Sequence, residues 1–244
     1  MLSLTEIISY QVSLTLKEGM NGFDLRKLKT LESYEEMEEY ASSKLKFLGQ
    51  GSSRTVFYLS NRYVLKVARN IKGYGQNKAE VDVYTNPKSK PIVAKIYDFD
   101  DKEYSWLVSE VVKGLRNPDE FKSLTDITWN VFISHMRYKP DYINNIKASI
   151  EKDILTRQTI IDNKKRISPD YNMEYYEEIV DDLINRLDDL SNKFLLDTIN
   201  LIASNELLPS DLNVLNHWGK TADNRIVLLD YGFTAEVADS YYRR

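Results

Sequence analysis

Hydrophobic and polar positions divide the chain into four successive stretches. Residues 1–43 are mostly polar with helical spacing. Within them SYEEMEEYASS opens on Ser33 and has Glu36 three residues on, the reciprocal capping pattern of a helix start. The expectation there is a solvated accessory helix in which Met37 and Tyr40 are the positions able to face a core. From residue 44 the period shortens to two. KLKFLG, RTVFYLS and RYVLKVA alternate and are rich in β-branched and aromatic residues, which predicts three strands. Ser60-Asn61-Arg62 supplies a hairpin turn between the second and third. A helix is expected around Asn77–Tyr84. Two further strands follow, IVAKIYDFD and YSWLVSEVV, on either side of Asp100-Asp101-Lys102-Glu103.

Helical spacing returns over residues 115–206. One helix is predicted over Asp119–Tyr138, with Pro118 in a helix-start position. A second covers Asn144–Asn163 and a third about Asp170–Asn205. In the third, Ile179, Leu183, Leu187, Leu190 and Phe194 step by 4, 4, 3 and 4, one apolar face for core packing. Residues 207–244 read as short strands again, VLNHW and RIVLLD, around the turn formers of GKTADN. No internal repeat or low-complexity segment interrupts the pattern.

Composition narrows the function classes. At 244 residues the chain is long enough to bury a core without disulfides or a structural metal. Lys and Arg number 33 against 37 Asp and Glu, so no positive excess points to nucleic acid or a membrane surface. There is no cysteine, which excludes a thiolate metal site and a cysteine nucleophile and suits a reducing cytoplasm. Two histidines, His135 and His217, leave little for a multi-histidine metal site. No run of 18 apolar residues predicts a membrane span, and Glu6 inside the first apolar stretch argues against a signal peptide. The Asn, Lys, Ile and Tyr usage hints at a phage or low-GC bacterial source.

The chemistry-bearing residues come in a fixed order. Gly49 and Gly51, in GQGSSRTVF, form a hairpin where backbone N–H groups can approach phosphate oxygens, with Ser52 and Ser53 placed to donate further hydrogen bonds. Lys66 lies among apolar neighbours in VLKVA and needs a partner or a ligand anion. Glu80, in QNKAEVDVY, is a helix carboxylate able to orient that ammonium. Asp211 and Asn216 are five apart in SDLNVLN, and Asp230 ends IVLLD just before Tyr231 and Gly232. Oxygen ligands of this kind suit Mg²⁺. Each signal alone is weak.

Together they resemble the protein-kinase-like superfamily over roughly Lys44–Phe233. G-x-G-x-x-R-x-V matches the nucleotide loop at Gly49, Gly51 and Val56. VLK matches the strand-lysine motif at Lys66. Ser109-Glu110-Val111-Val112-Lys113-Gly114 resembles the hinge that holds adenine. D-L-x-x-x-N matches the catalytic loop at Asp211 and Asn216, and LLDYG the magnesium motif at Asp230. The resemblance implies an α+β, two-lobed fold with a β-rich N-lobe and a reduced, mostly helical C-lobe. Its parts would be an N-terminal helical extension at 1–43, an N-lobe at 44–114 with the hinge at 109–114, and a C-lobe at 115–244.

It also implies an ATP- and Mg²⁺-dependent transfer of the γ-phosphoryl group to a hydroxyl of a protein or small-molecule acceptor. Lys66, Glu80 and Asp211 would be catalytic. Gly49, Gly51, Ser52, Ser53, Arg54, Val56, Lys66, Glu110 and Val112 would hold nucleotide, and Asn216 and Asp230 metal. The departures are as specific. Arg54 replaces the third glycine, Pro209 and Ser210 replace His-Arg, and Asn213 stands where Ser/Thr kinases place a lysine. Only 12 residues follow Gly232, too few for an activation segment, and 92 separate Gly114 from Leu207. This is closer to aminoglycoside-phosphotransferase-type or minimal atypical kinases than to regulated eukaryotic-like ones. Two other readings stay open. One is a pseudokinase acting as an interaction module, and the other is an AMP transferase that binds its nucleotide flipped.

Overall fold

Strand pairing organises the chain between Lys46 and Glu110. The computed structural model describes residues 22–136, 138, 140–167 and 172–242. Two compact units divide it: Met1–Arg116 together with Asn205–Arg244, and Asn117–Ser204. Residues 205–242, which the resemblance places in the C-lobe, cluster with the large sheet.

In the first unit, α1 (Leu25–Leu28) and α2 (Tyr34–Lys44) precede strands β1 (Lys46–Gln50), β2 (Arg54–Tyr58) and β3 (Tyr63–Ala68). After β3 come α3 (Ile71–Thr85), β4 (Ile96–Phe99) and β5 (Trp106–Glu110). The five strands form one antiparallel sheet in the order β1-β2-β3-β5-β4. The ladder sets Val56 beside Lys66, and Lys66 beside Leu107. Because successive side chains leave a strand on opposite faces, Leu65 and Val67 fall on one side while Val64 and Lys66 fall on the other.

Leu65 and Val67 join Phe57, Trp106 and Val108 in a core that also takes Phe23, Leu25, Leu28, Met37 and Ala41. The N-terminal helices are thus not a solvated accessory. Residues 22–44 cover one face of the sheet, and the Ser33–Glu36 capping box is formed as the sequence suggests. Residues 1–21 of the expected extension lie outside the described residues. Sequence patterning missed this face because α1 has a single turn, too short to show a period.

The helix after β3 starts six residues before the expected Asn77. Asn70 caps it by accepting from the N–H groups of Lys72 and Gly73. Gly73 and Gly75 are therefore helical residues. A Cβ on Gly73 would stand 2.2 Å from the Ser53 carbonyl oxygen, and one on Gly75 2.4 Å from the Tyr241 ring. Both glycines let α3 approach its neighbours.

A second sheet joins β6 (Lys113–Gly114), β7 (Trp218–Lys220) and β8 (Ile226–Leu228) in that order. The expected strand VLNHW gives way to a 3₁₀ turn at Leu215–His217 before β7 begins. Only the end of IVAKIYDFD is strand. Its start bridges Val93 to Leu228, with Ala94 N–H donating to the Leu228 carbonyl at 3.0 Å. This bridge ties the segment that ends in Asp230 to the large sheet.

The second unit is helical: α4 (Pro118–Thr125), α5 (Trp129–His135), α6 (Pro140–Ile167), α7 (Glu174–Ser191) and most of α8 (Lys193–Asn205). The helix expected over Asp119–Tyr138 is broken at Asp126, which takes a left-handed conformation (φ 58°), and Thr128 caps the next helix. The third expected helix is broken at Asn192, whose side chain accepts from Leu195 N–H and donates to the Thr125 carbonyl. Its expected start at Asp170 lies outside the described residues. Leu183 and Leu190 of the predicted apolar face are buried. Phe121, Trp129, Phe132 and Phe194 pack ring against ring, with centroids 4.9–5.8 Å apart. Among the described residues no helix is long and apolar enough to cross a membrane.

Candidate active site

Lys66 is brought inside by the sheet register and cannot stay there without anions. It is 8% exposed, and burying an ammonium without a partner is strongly unfavourable. Its Nζ donates to both carboxylate oxygens of Glu80, at 2.9 and 2.8 Å, and to the Leu229 carbonyl at 2.9 Å. Glu80 comes from α3 and is fully buried. The pair that the sequence places 14 residues apart is therefore formed.

A second cation shares this carboxylate. Arg54, the first residue of β2, sends its guanidinium inward, with the side chain 7% exposed. Nη1 donates to Glu80 Oε1 at 2.7 Å and to Asn77 Oδ1 at 3.3 Å, and Nη2 donates to Asp230 Oδ1 at 2.7 Å. Arg54 thus links the helix carboxylate to the expected metal ligand. Burial pulls the Arg54 pKa down, but the charges of Glu80 and Asp230 outweigh it and hold the guanidinium firmly protonated. At Asp230 burial raises the carboxyl pKa, and the nearby Arg54, Lys66 and His217 reverse this to a net lowering.

Arg54, Lys66 and Asp230 line a cleft of about 420 Å³. Gly51, Ser52, Ser53, Arg54 and Val56 form one wall, and Glu110, Val112 and Asp230 are also present. Leu48, Val64, Ala94 and Leu229 add an apolar lining that was not among the expected site residues. Gln76 was also missed by sequence. It accepts from the Ser53 hydroxyl at 2.6 Å, which fixes Ser53 to α3. A Cβ at Gly49 or Gly51 would meet open space, so nothing within the chain itself requires glycine there. Glu110 is engaged on both sides: its N–H donates to the Lys95 carbonyl, and its carboxylate accepts from Arg225 at 3.1 and 3.3 Å.

Asp211 stands in a short helical turn, α9 (Pro209–Leu212), and not in an open loop. The ring Nδ1 of His217 lies 2.7 Å from the Asp211 carbonyl oxygen, and Trp218 Nε1 donates to the Leu212 carbonyl at 2.9 Å. Together these contacts hold the turn against β7. Burial and then the charge of Asp230 push the Asp211 carboxyl pKa up, while His217 and Arg54 pull it back. Asn216 is exposed in the following turn.

In donor type Asp230 and Asn216 suit a hard divalent cation, but an oxygen of Asp230 already accepts from a guanidinium. Among the described residues no three His, Cys, Asp or Glu side chains cluster as a metal site.

No protein-family model and no curated protein sequence matches the chain. Among solved structures it is similar to a ternary complex of streptomycin, ATP and APH(2'')-IIa. The identity is 11% and the TM-score 0.35, over 83% of this chain and 72% of that one. It is also similar to ADP-bound aminoglycoside phosphotransferase APH(2'')-Ib, at 14% identity and TM-score 0.34, over 83% and 71% of the two chains. Both scores are low, and the reading of the site rests on its own geometry.

One substitution separates structure from chemistry here. A carboxyl whose pKa is raised on folding disfavours the ionised folded state, so it weakens the fold as pH rises through that pKa. Asp211→Asn is therefore expected to raise the melting temperature at neutral pH and to flatten its decline as pH rises past the ordinary carboxylate range. Paired melting curves of the two proteins across that range check it. A lower melting temperature for the variant at neutral pH contradicts the assignment.

Proposed function

We propose that this chain is an ATP-dependent phosphotransferase that moves the γ-phosphoryl group to a hydroxyl of a protein or small-molecule acceptor. The observation that carries the reading is the buried Lys66–Glu80 pair beside Asp230 at the cleft. Lys66 would hold phosphate oxygens and Glu80 would fix its position. The apolar residues Val56, Val64, Ala94 and Leu229 would take the base, near Glu110 and Val112. The acceptor oxygen attacks the γ-phosphorus, the bond from that phosphorus to the bridging oxygen breaks, and ADP leaves. The hydroxyl proton passes to Asp211, whose raised pKa favours accepting it. Asn216 and Asp230 would hold Mg²⁺, which supplies positive charge to the phosphates when bound. Most of the rate gain in such a transfer comes from positioning and charge.

The test is incubation of the purified chain with γ-labelled and α-labelled ATP in parallel, with and without lysate. Label transferred from γ only is the expected result. Label from α instead identifies an AMP transferase. A second reading, a pseudokinase, is favoured by one observation: Arg54 occupies the carboxylate that metal would need. No transfer from either label by folded protein selects it.

Nucleotide binding has its own measurement. At about 100 times the dissociation constant, Mg-ATP is expected to stabilise the fold by about 2.7 kcal/mol. For a chain of this size that is a melting shift of roughly 5–10 °C. Lys66→Met should remove most of it, and an undiminished shift in that variant would show that Lys66 does not touch phosphate.

A further inference from the structure

Four charges meet at the inner end of the cleft. Lys66 and Arg54 are cations, and Glu80 and Asp230 are anions. The group is formally neutral without any metal ion. Arg54 is the member that makes it so, because Lys66 alone would balance only Glu80. Its placement is built into the fold: Arg54 pairs with Ala68 in the β2–β3 ladder, and Asn77 and Glu80 of α3 hold Nη1 while Nη2 reaches Asp230.

We propose that Arg54 gates the metal site: its guanidinium occupies the Asp230 carboxylate until a nucleotide phosphate draws it away, so that nucleotide enters before metal. This inference deepens the phosphotransferase reading and rests on it for the identity of the incoming anion. A divalent cation bound to Asp230 would lie within a few ångströms of a fixed positive charge, and even at the dielectric constant of water that repulsion lowers affinity by at least about tenfold. A phosphate oxygen, in contrast, offers a guanidinium a charge-assisted and often bidentate partner. Arg54 lines the same cleft wall as Gly51, Ser52 and Ser53, where phosphates would lie. An exchange of Asp230 for phosphate therefore needs only a side-chain movement. Nη1 can remain on Glu80 throughout.

The test uses Mn²⁺ alone as probe, titrated into the nucleotide-free full chain and read by electron paramagnetic resonance. Arg54→Gln is expected to bind Mn²⁺ at least about tenfold more tightly than the unaltered protein. The double variant Arg54→Gln, Asp230→Asn should lose that gain. Equal or weaker Mn²⁺ binding by folded Arg54→Gln overturns the proposal, as does a gain that survives removal of Asp230.

If Arg54→Gln does not fold, Arg54→Met, which fills the same buried space without charge, takes its place in the titration. The same gain of at least about tenfold is expected, and equal or weaker Mn²⁺ binding overturns the gate. No arm contains nucleotide, so the metal result stands whether or not labelled ATP shows phosphoryl transfer.

Discussion

Glu80→Gln is expected to lower stability by about 3–5 kcal/mol, the range for removing one member of a buried ion network. Glu80 is fully buried and is the shared anion of Lys66 and Arg54. The amide keeps the shape and one acceptor oxygen but removes the charge, leaving two buried cations facing only Asp230. At about 2–4 °C per kcal/mol for a chain of this size, the melting temperature should fall by roughly 6–20 °C. The Mg-ATP shift should also vanish, because Lys66 loses its orientation. Denaturant unfolding with and without nucleotide measures both. A variant within about 1 kcal/mol of the parent would mean the network is solvated in a way its burial denies.

Gly73→Val is expected to cost about 3 kcal/mol by overpacking. The new Cβ would meet the Ser53 carbonyl oxygen at 2.2 Å and the Ala68 backbone at 2.9 Å, and backbone cannot step aside as a long side chain can. Relief requires α3 to move off β2 and β3, which carries Glu80 away from Lys66. The melting temperature should drop by roughly 6–12 °C, and nucleotide binding should weaken with it. Gly75→Ala is the matched control. Its close neighbour is the Tyr241 ring, which can rotate, and helix propensity gains about 1 kcal/mol from alanine. A near-neutral result at Gly75 with a large loss at Gly73 shows that contact with the sheet, and not helicity, sets the requirement.

The alternating strands at Lys46–Gln50, Arg54–Tyr58 and Tyr63–Ala68 were legible because period-two patterning maps directly onto two faces. The Lys66–Glu80 pair was legible for a related reason. A lysine at a buried strand position must find an anion, and few lie nearby in sequence. The inward turn of Arg54 was not legible. As the third member of a glycine-loop pattern it reads as a residue above phosphate, and only the β2–β3 register and the depth of Asn77 and Glu80 show that it can reach Asp230. That link also changes what is expected of Asp230, which the resemblance marks only as a metal ligand. Its side chain is 41% exposed, yet it balances a buried guanidinium, so Asp230→Ala should weaken the fold as well as the site. The broken helices at Asp126 and Asn192 were illegible because their stop signals are single polar residues inside otherwise periodic stretches.

The residues that follow Asp230 turn back onto α3. Gly232 lies so close that a Cβ would stand 2.4 Å from the Gln76 carbonyl oxygen. Tyr242 accepts from Gln76 Nε2 at 3.1 Å and lies under the Lys72 ammonium, while its ring meets Phe233 edge-on. In regulated protein kinases a helix whose glutamate pairs with a strand lysine is repositioned to set activity. Here its first two turns are wedged between Ser53 and Ala68 on one side and the returning chain on the other. The helix is a fixed strut, not a lever. For the phosphotransferase proposed above, such a strut leaves the cleft itself, and not the helix, as the place where activity would be restrained.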